Sequence, residues 1–510
     1  MDFQLPDYNI QAMLPELFLF LWALVVFAFD VVTKRKSETA AGYLSLFGIF
    51  VAGLLLWITP FGKNGGMDSI GFGSMFINDR IAYFFKIIFL TAAFMAVGSS
   101  FGIMKQKIVN HRGEFFGLML LSTVGMMFLA SSQELISLYI GLELTTIPLF
   151  VLAAFYKDNK LSVEAGLKYF VIGAFSSALL LFGMSFLYGM TGTTSMVSIR
   201  VNLAIAFISY NQVGFILLLA NILLLAGIGF KISLPPFHQW APDVYEGAPT
   251  PVAAFLSVGS KAAGLIAFAK IFVSTLYAFH GPEAAPNDWG MLTGVLAVAA
   301  MIIGNVVAIR QSDIKRMLAY SSIAQAGYIM VGMVAMGEPH GLSSVSYYMF
   351  AYLFANMGAF ACVAIFEDKS GSTQISSYQG LSKTSPFFAA SLSIFLMSLI
   401  GIPPLAGFMA KYKVFAAAIS QTTGNSSFNW LYWLVGIGLI TSVFALFYYA
   451  NVIKQMYFSK EESPYKVDYS IPSFVVLVIG LVGVFLAGII PDLILNFTDQ
   501  ITPLFGLGTF

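Results

Sequence analysis

Fourteen times along this chain a run of about twenty mainly apolar residues recurs, the length an α-helix needs to cross the hydrocarbon core of a bilayer. The runs lie near 13–33, 41–59, 81–103, 115–131, 134–156, 163–189, 212–240, 250–279, 289–309, 317–337, 342–366, 386–420, 429–457 and 471–495. Only 10% of the residues are charged, against about a quarter in soluble domains, so most of the surface is not built to face water. The pattern predicts an all-α polytopic membrane protein with about 14 transmembrane helices, one integral membrane domain over residues 1–510. The apolar link at 194–209 reads as a segment lying along the surface. Met1 to Gln11 carries Asp2 and Asp7 where a cleavable signal would carry basic residues, so the run from Met13 to Val32 is taken as the first span.

Composition narrows the chemistry. With one cysteine, Cys362, and four histidines, neither an iron–sulfur cluster nor a CxxC zinc site can be built, and a haem stack is disfavoured. A formal net charge of +1 leaves no basic footprint for nucleic acid. Nucleotide-binding glycine motifs and the HExxH zinc motif are missing from the sequence. The expectation is a chain without a redox centre or bound cofactor of its own.

Basic residues orient the spans, because cytoplasmic loops are enriched in them. Alternate loops collect Lys34, Arg35 and Lys36; Lys105, Lys107 and Arg112; Lys157 and Lys160; Arg310, Lys315 and Arg316; Lys369 and Lys383; Lys454, Lys460 and Lys466. The opposite loops hold Lys63, Arg80 and Arg200. Sixteen against three puts the rich side in the cytoplasm and both termini on the outer face.

Two runs are interrupted by proline pairs, Pro235-Pro236 in the seventh and Pro403-Pro404 in the twelfth. Proline removes a backbone donor and clashes with the preceding turn, and in lipid the freed carbonyls need protein or cavity water. The interruptions are five spans apart. Five is odd, so a repeated five-helix unit (spans 4–8 and 9–13) inserts upside down the second time. Broken helices at matching places of inverted halves point to an ion or substrate path. The expected segments are 1–112, a three-helix lead; 113–280 and 287–460, the two units; and 470–510, the last helix and tail.

A charge at mid-bilayer costs about 2.5–3.5 kcal/mol on insertion scales, so each intramembrane charge needs a reason. Glu143 stands in the middle of span five, as a protonated buried carboxyl or as a partner for a lysine. Lys231 lies four residues before the first proline pair, and a Glu143–Lys231 pair would satisfy both groups. His238, seven residues beyond Lys231, would return to nearly the same helical face; it is a proton relay or simply a satisfied polar residue. Lys261 sits among small residues in span eight, and Lys411 follows the second break. Lys168 has Glu164 at i−4, so an interfacial ion pair competes with a relay role. Lys270 is expected on the face opposite Lys261, snorkelling outward, so that Lys270→Ala should leave function intact; Lys86 is expected near the outer edge of span three. Lys413 points away from Lys411, and these last three receive no role. The inventory suits moving a proton better than breaking a covalent bond.

At these residues the sequence resembles a known family. The stretch from Gly229 to Gly264, GFKISLPPFHQWAPDVYEGAPTPVAAFLSVGSKAAG, is similar to the antiporter-like membrane subunits of proton-pumping NADH:quinone oxidoreductase, respiratory complex I. The DVYEGAP and SKA wording is most similar to the N branch, and Lys411 sets the chain apart from the M branch, where glutamate is usual. The L branch carries a long extra C-terminal helix that these 510 residues lack.

The resemblance covers nearly the whole chain. It implies two inverted five-helix units with broken seventh and twelfth helices, and proton translocation through Glu143, Lys168, Lys231, His238, Lys261 and Lys411. It further implies sibling membrane-arm subunits as partners, a bacterial inner membrane, and NADH, FMN, iron–sulfur clusters and quinone held by other subunits. The expected path takes a proton from the cytoplasmic side near Lys168 and His238 to Lys231, on through Lys261, and out from Lys411. The nearest alternative is a subunit of a multi-subunit sodium/proton antiporter; a stand-alone solute carrier is a more distant one.

Overall fold

The computed structural model describes residues 8–33, 39–59, 70–103, 111–210, 214–276, 289–335, 340–424, 428–459 and 463–500. Of the loop residues used for orientation, Lys34, Arg35, Lys36, Lys63, Lys105, Lys107 and Lys460 lie outside them. The chain opens with α1 (Leu14–Val32), α2 (Ala40–Ile58) and α3 (Arg80–Ser99), with a small hairpin, β1 (Ile70–Gly71) and β2 (Phe76–Ile77), before α3. Then come α4 (Arg112–Ser131), α5 (Leu135–Ala153), α6 (Lys160–Thr191), α7 (Met196–Tyr210), α8 (Gly214–Ile232) and α9 (Trp240–Gly247). Next is α10 (Thr250–Thr275), whose middle and end wind as π-helix over Leu256–Ser260 and Ala269–Thr275.

The second half follows as α11 (Trp289–Ala308), α12 (Ile314–Val334), α13 (Gly341–Ser370), α14 (Pro386–Ile400), α15 (Ala406–Gly424), α16 (Trp430–Phe458), α17 (Ile471–Ile489) and α18 (Asp492–Thr498).

Among the described residues 13 helices are long and apolar enough to cross a membrane. The fourteenth expected crossing is the α14–α15 pair. Its run is split at Gly401–Leu405, leaving a first piece of 15 residues, about 22 Å of helix, and a second piece that carries Lys411 and Lys413. The expected surface segment at 194–209 is the helix α7, packed against α6 and the π-helical end of α10.

Burial grades from the centre outward. α10 is wholly enclosed and α12 and α13 nearly so, whereas α1, α2 and α16 turn most of their residues outward. Polar groups flank the crossings where backbone donors must be satisfied. Asp79 caps α3 through Ala82 N at 2.8 Å, and Asp313 caps α12 through Lys315 N and Arg316 N. The core is therefore a lipid-type bundle whose central helices never meet lipid, and that is where ionisable side chains can be kept.

Candidate functional site

Both proline pairs break their helices in the same way. Pro235-Pro236 and Pro403-Pro404 are cis, and the residues two before them, Ser233 and Gly401, have φ of 65° and 95°. Leu234 N donates to Gly229 O and Phe237 N to Leu234 O; in the second break Ile402 N donates to Met397 O and Leu405 N to Ile402 O. Each bond has its counterpart 168 residues on, the spacing from Pro235 to Pro403. A positive φ is strained for serine and free for glycine. The close packing after the second break needs glycine again, since a Cβ on Gly407 would lie 1.8 Å from Ser398 O.

Lys231 occupies the last turn of α8, 4% exposed. Its ammonium donates to the hydroxyl of Thr146 on α5 and stands 5.4 Å from the centre of the Phe230 ring. Glu143, one turn before Thr146, is not its hydrogen-bond partner: Oε1 of Glu143 is buried with none. The expected direct pair is thus replaced by a lysine held one helical turn away from the carboxylate. Behind Lys231 there is no slack, because a Cβ on Gly264 of α10 would come within 3.0 Å of Lys231 Cβ.

His238 does not share a helical face with Lys231. The helix ends at Ile232, and α9 folds back so that Trp240 Nε1 donates to Phe230 O at 3.0 Å. The histidine sits in the turn, half-buried, with Nδ1 buried and unpartnered. The register failed because the helix does not persist through the prolines.

From Lys261 on α10 a polar line runs across α12 and α13 towards α15. Lys261, 1% exposed, donates to both the carbonyl and the hydroxyl of Ser322 on α12, the latter at 2.6 Å. Tyr352 of α13 donates to the same hydroxyl at 2.9 Å. Tyr352 then lines a small cavity, with room for about one water, together with Gln325, Tyr348, Ser398, Gly407 and Lys411. Tyr348 donates to Gln325 Oε1, and Gln325 Nε2 donates to Leu399 O at 3.0 Å. Lys411, 7% exposed, donates to Ile400 O at 2.8 Å, the open end of α14, with Nζ 4.6 Å from the Tyr328 ring centre. Gln421, ten residues further along α15, is 4% exposed with both amide atoms unpartnered.

Lys168 is partly exposed. Nζ meets Glu164 Oε1 and Asp243 Oδ2, each at 2.6 Å. Arg316 bridges Asp243 at 2.8 Å and Glu246 at 2.6 Å. The i−4 ion pair read from sequence is therefore one edge of a network joining α6, α9 and α12.

One lysine contradicts its expected setting, and a second is buried more deeply than its place near a span end suggests. Lys270 does not snorkel: it is 2% exposed and donates to Ser132 O at 2.7 Å, because α10 has no lipid-facing side. Lys86 is 0% exposed, 2.6 Å from the equally buried Glu16 and 2.9 Å from Asn78 Oδ1.

The sequence reading missed Thr146, Ser322, Gln325, Tyr348, Tyr352 and Asp243. A signal existed for some of them. Tyr348, Tyr352 and Asn356 repeat at four-residue spacing on α13, one face of a helix, and Asn356 Nδ2 donates to Ser257 Oγ of α10 at 2.5 Å.

Comparison with known proteins places the chain in a family. A family described as NADH:quinone oxidoreductase/Mrp antiporter, TM, matches residues 132–445. The NADH-quinone oxidoreductase subunit N of Trichlorobacter lovleyi is 40% identical over 494 residues, covering 96% of this chain and 96% of that protein. The NAD(P)H-quinone oxidoreductase subunit 2 of Synechocystis sp. is 39% identical over 513 residues, covering 98% and 92%. A chain of respiratory complex I from Thermus thermophilus, solved with bound Aureothin, superposes with a TM-score of 0.76 at 28% identity, covering 94% of this chain and 98% of that one.

Proposed function

Because this chain belongs to the NADH:quinone oxidoreductase/Mrp antiporter family of transmembrane proteins, we propose that it is the proton-translocating N-type membrane subunit of an NADH:quinone oxidoreductase. Electron transfer from NADH to quinone takes place in other subunits, which carry the FMN and iron–sulfur groups. This chain supplies buried proton carriers whose loading responds to changes arriving from its neighbours, the sibling antiporter-like subunits of the membrane arm. It resides in a bacterial inner membrane with the basic loops in the cytoplasm and both termini outside. Residues 113–280 and 287–460 act as its two inverted units, flanked by 1–112 and 470–510.

Lys231 is the uptake carrier, fed from the cytoplasmic side near Lys168 and His238. Glu143 tunes it: a carboxylate one turn from Thr146 favours the charged amine when the two approach and releases it when they part. The proton passes to Lys261, through the Ser322 hydroxyl and Tyr352 to the small cavity, and on to Lys411. It leaves along α15 past Gln421. Hydroxyls and a water can pass protons because each both donates and accepts.

The single observation that carries this reading is the shared Ser322 hydroxyl. It links Lys261 of the first unit to a cavity lined by Lys411 of the second, through Tyr352. A chain that only filled space would have no use for lysines at both ends of such a line.

The test is Lys231→Ala against Lys231→Arg in the assembled complex in vesicles. Loss of proton pumping and of coupled NADH:quinone activity is expected for alanine, and also for arginine, which keeps the charge and cannot release its proton. Pumping that survives the alanine change would remove the carrier assignment.

A further inference from the structure

A second group of buried charges lies at the other end of α10, outside the line from Lys231 to Lys411. Lys270 is enclosed, with Nζ on Ser132 O at 2.7 Å. Ser132 bridges to Phe76 of the hairpin, and the Phe76 ring faces Lys86 Nζ at 5.2 Å. Lys86 holds Glu16 and Asn78, all three wholly buried. Asp79 and Lys86 both stand in the first part of α3, Asp79 as its cap. Asp79 is half-buried, at the start of α3, on the side of the bundle opposite the basic loops.

Lys261 and Lys270 are nine residues apart on one helix, about 13 Å along its axis. The stretch from Ala269 is π-helical, with Leu276 N donating to Ile271 O. A π-turn widens the helix and is often found at functional sites. Ser131, the residue before the one whose carbonyl holds Lys270, has a buried hydroxyl without a partner. A lysine anchored to a carbonyl needs no second, idle hydroxyl on the neighbouring residue. A lysine that exchanges a proton through water does.

We propose that Lys270 is a proton carrier on an outward branch of the first unit, which receives a proton from the Lys261 side by way of Ser131 and passes it out past Asp79. The first unit then has a route to the outer face that does not use Lys411. This inference rests on the functional reading above, including its orientation.

Vesicles containing the assembled complex test it, with proton pumping and NADH:quinone activity measured together for Lys270→Arg, Asp79→Asn and Lys231→Ala. Arginine at 270 keeps the charge and the donor for Ser132 O, so a purely structural lysine would be replaced without loss. Asparagine at 79 keeps the cap on Ala82 N and removes the charge. Pumping lower by about tenfold or more in Lys270→Arg, with assembly intact, is the expected result, since a positioned proton-transfer group contributes at least that much; a smaller loss in the same direction is expected for Asp79→Asn. Wild-type pumping in Lys270→Arg overturns the proposal. If that variant fails to assemble, wild-type pumping in Asp79→Asn overturns it instead. Should Lys231→Ala also pump normally, the functional reading itself fails; should Lys231→Ala be dead while Lys270→Arg is normal, only the outward branch fails.

Discussion

Lys231 gives its hydrogen bond to Thr146 and leaves Glu143 one turn away on the same helix with a buried, unpartnered oxygen. The lysine is thereby solvated by a neutral hydroxyl that stands one helical turn from Glu143. Thr146→Val keeps the shape of the side chain and removes the acceptor, which leaves an amine without a partner at a typical cost of about 1–3 kcal/mol. Pumping in Thr146→Val is expected to fall several-fold. Glu143→Gln should lower it further, because the charge and not the hydrogen bond is what it removes. Proton uptake by vesicles under NADH oxidation measures both; equal pumping in Thr146→Val and wild type would show that the hydroxyl is idle.

The hydroxyl of Ser322 serves two donors at once, Lys261 at 2.6 Å and Tyr352 at 2.9 Å. Tyr352→Phe deletes one link without opening space, so it should change stability by only about 1 kcal/mol. Pumping should fall far more than stability does. Ser322→Ala removes the junction itself but leaves the Ser322 carbonyl for Lys261. The double variant Ser322→Ala with Tyr352→Phe is expected to pump no worse than the poorer single variant, because both break one line. Additive losses in that cycle would mean that the two groups act separately.

Much of the fold was legible because the bilayer leaves a chain so few options: the spans follow from length and hydropathy, and the breaks from the proline pairs. What the sequence could not convey is which face of each span is enclosed. Lys270 and Lys86 look like edge lysines by position, and only the packing of α10 and α3 among other helices buries them. The Lys231–His238 register was lost for a local reason, since helical periodicity stops at Ile232. Hydroxyl partners such as Thr146 and Ser322 carry no signal of their own, serine and threonine being common in membrane helices that bond their own carbonyls.

The 168-residue spacing of the breaks places Asp243 and Lys411 at equivalent positions after them. After the second break that position holds an amine, bound to the end of α14. After the first it holds a carboxylate that ties Lys168 to Arg316, its members about a third exposed. Exposure of that degree makes the network worth little as a staple, so Asp243→Asn should cost about 1 kcal/mol in thermal unfolding of the purified complex. Lys168→Met breaks the same contact from the other side and is expected to reduce pumping beyond Asp243→Asn. Matching pumping in the two variants would reduce Lys168 to an anchor for α9.

Glu16 and Lys86 form the most secluded ion pair among the described residues, both wholly buried and 2.6 Å apart, with Asn78 as a further acceptor for the lysine. Taking two charges out of water is costly, and their attraction offsets it only while both remain. Glu16→Gln therefore leaves an uncompensated ammonium beside the Phe76 ring and is expected to destabilise the chain by about 3–5 kcal/mol. The joint substitution Glu16→Met with Lys86→Met removes both charges at once and should cost far less, because buried pairs replaced by apolar residues of similar volume are often neutral in stability. Thermal denaturation of the complex in detergent, followed by release of this chain, separates the two cases. A double variant as unstable as Glu16→Gln alone would show that the pair is held by shape and hydrogen bonding and not by charge compensation.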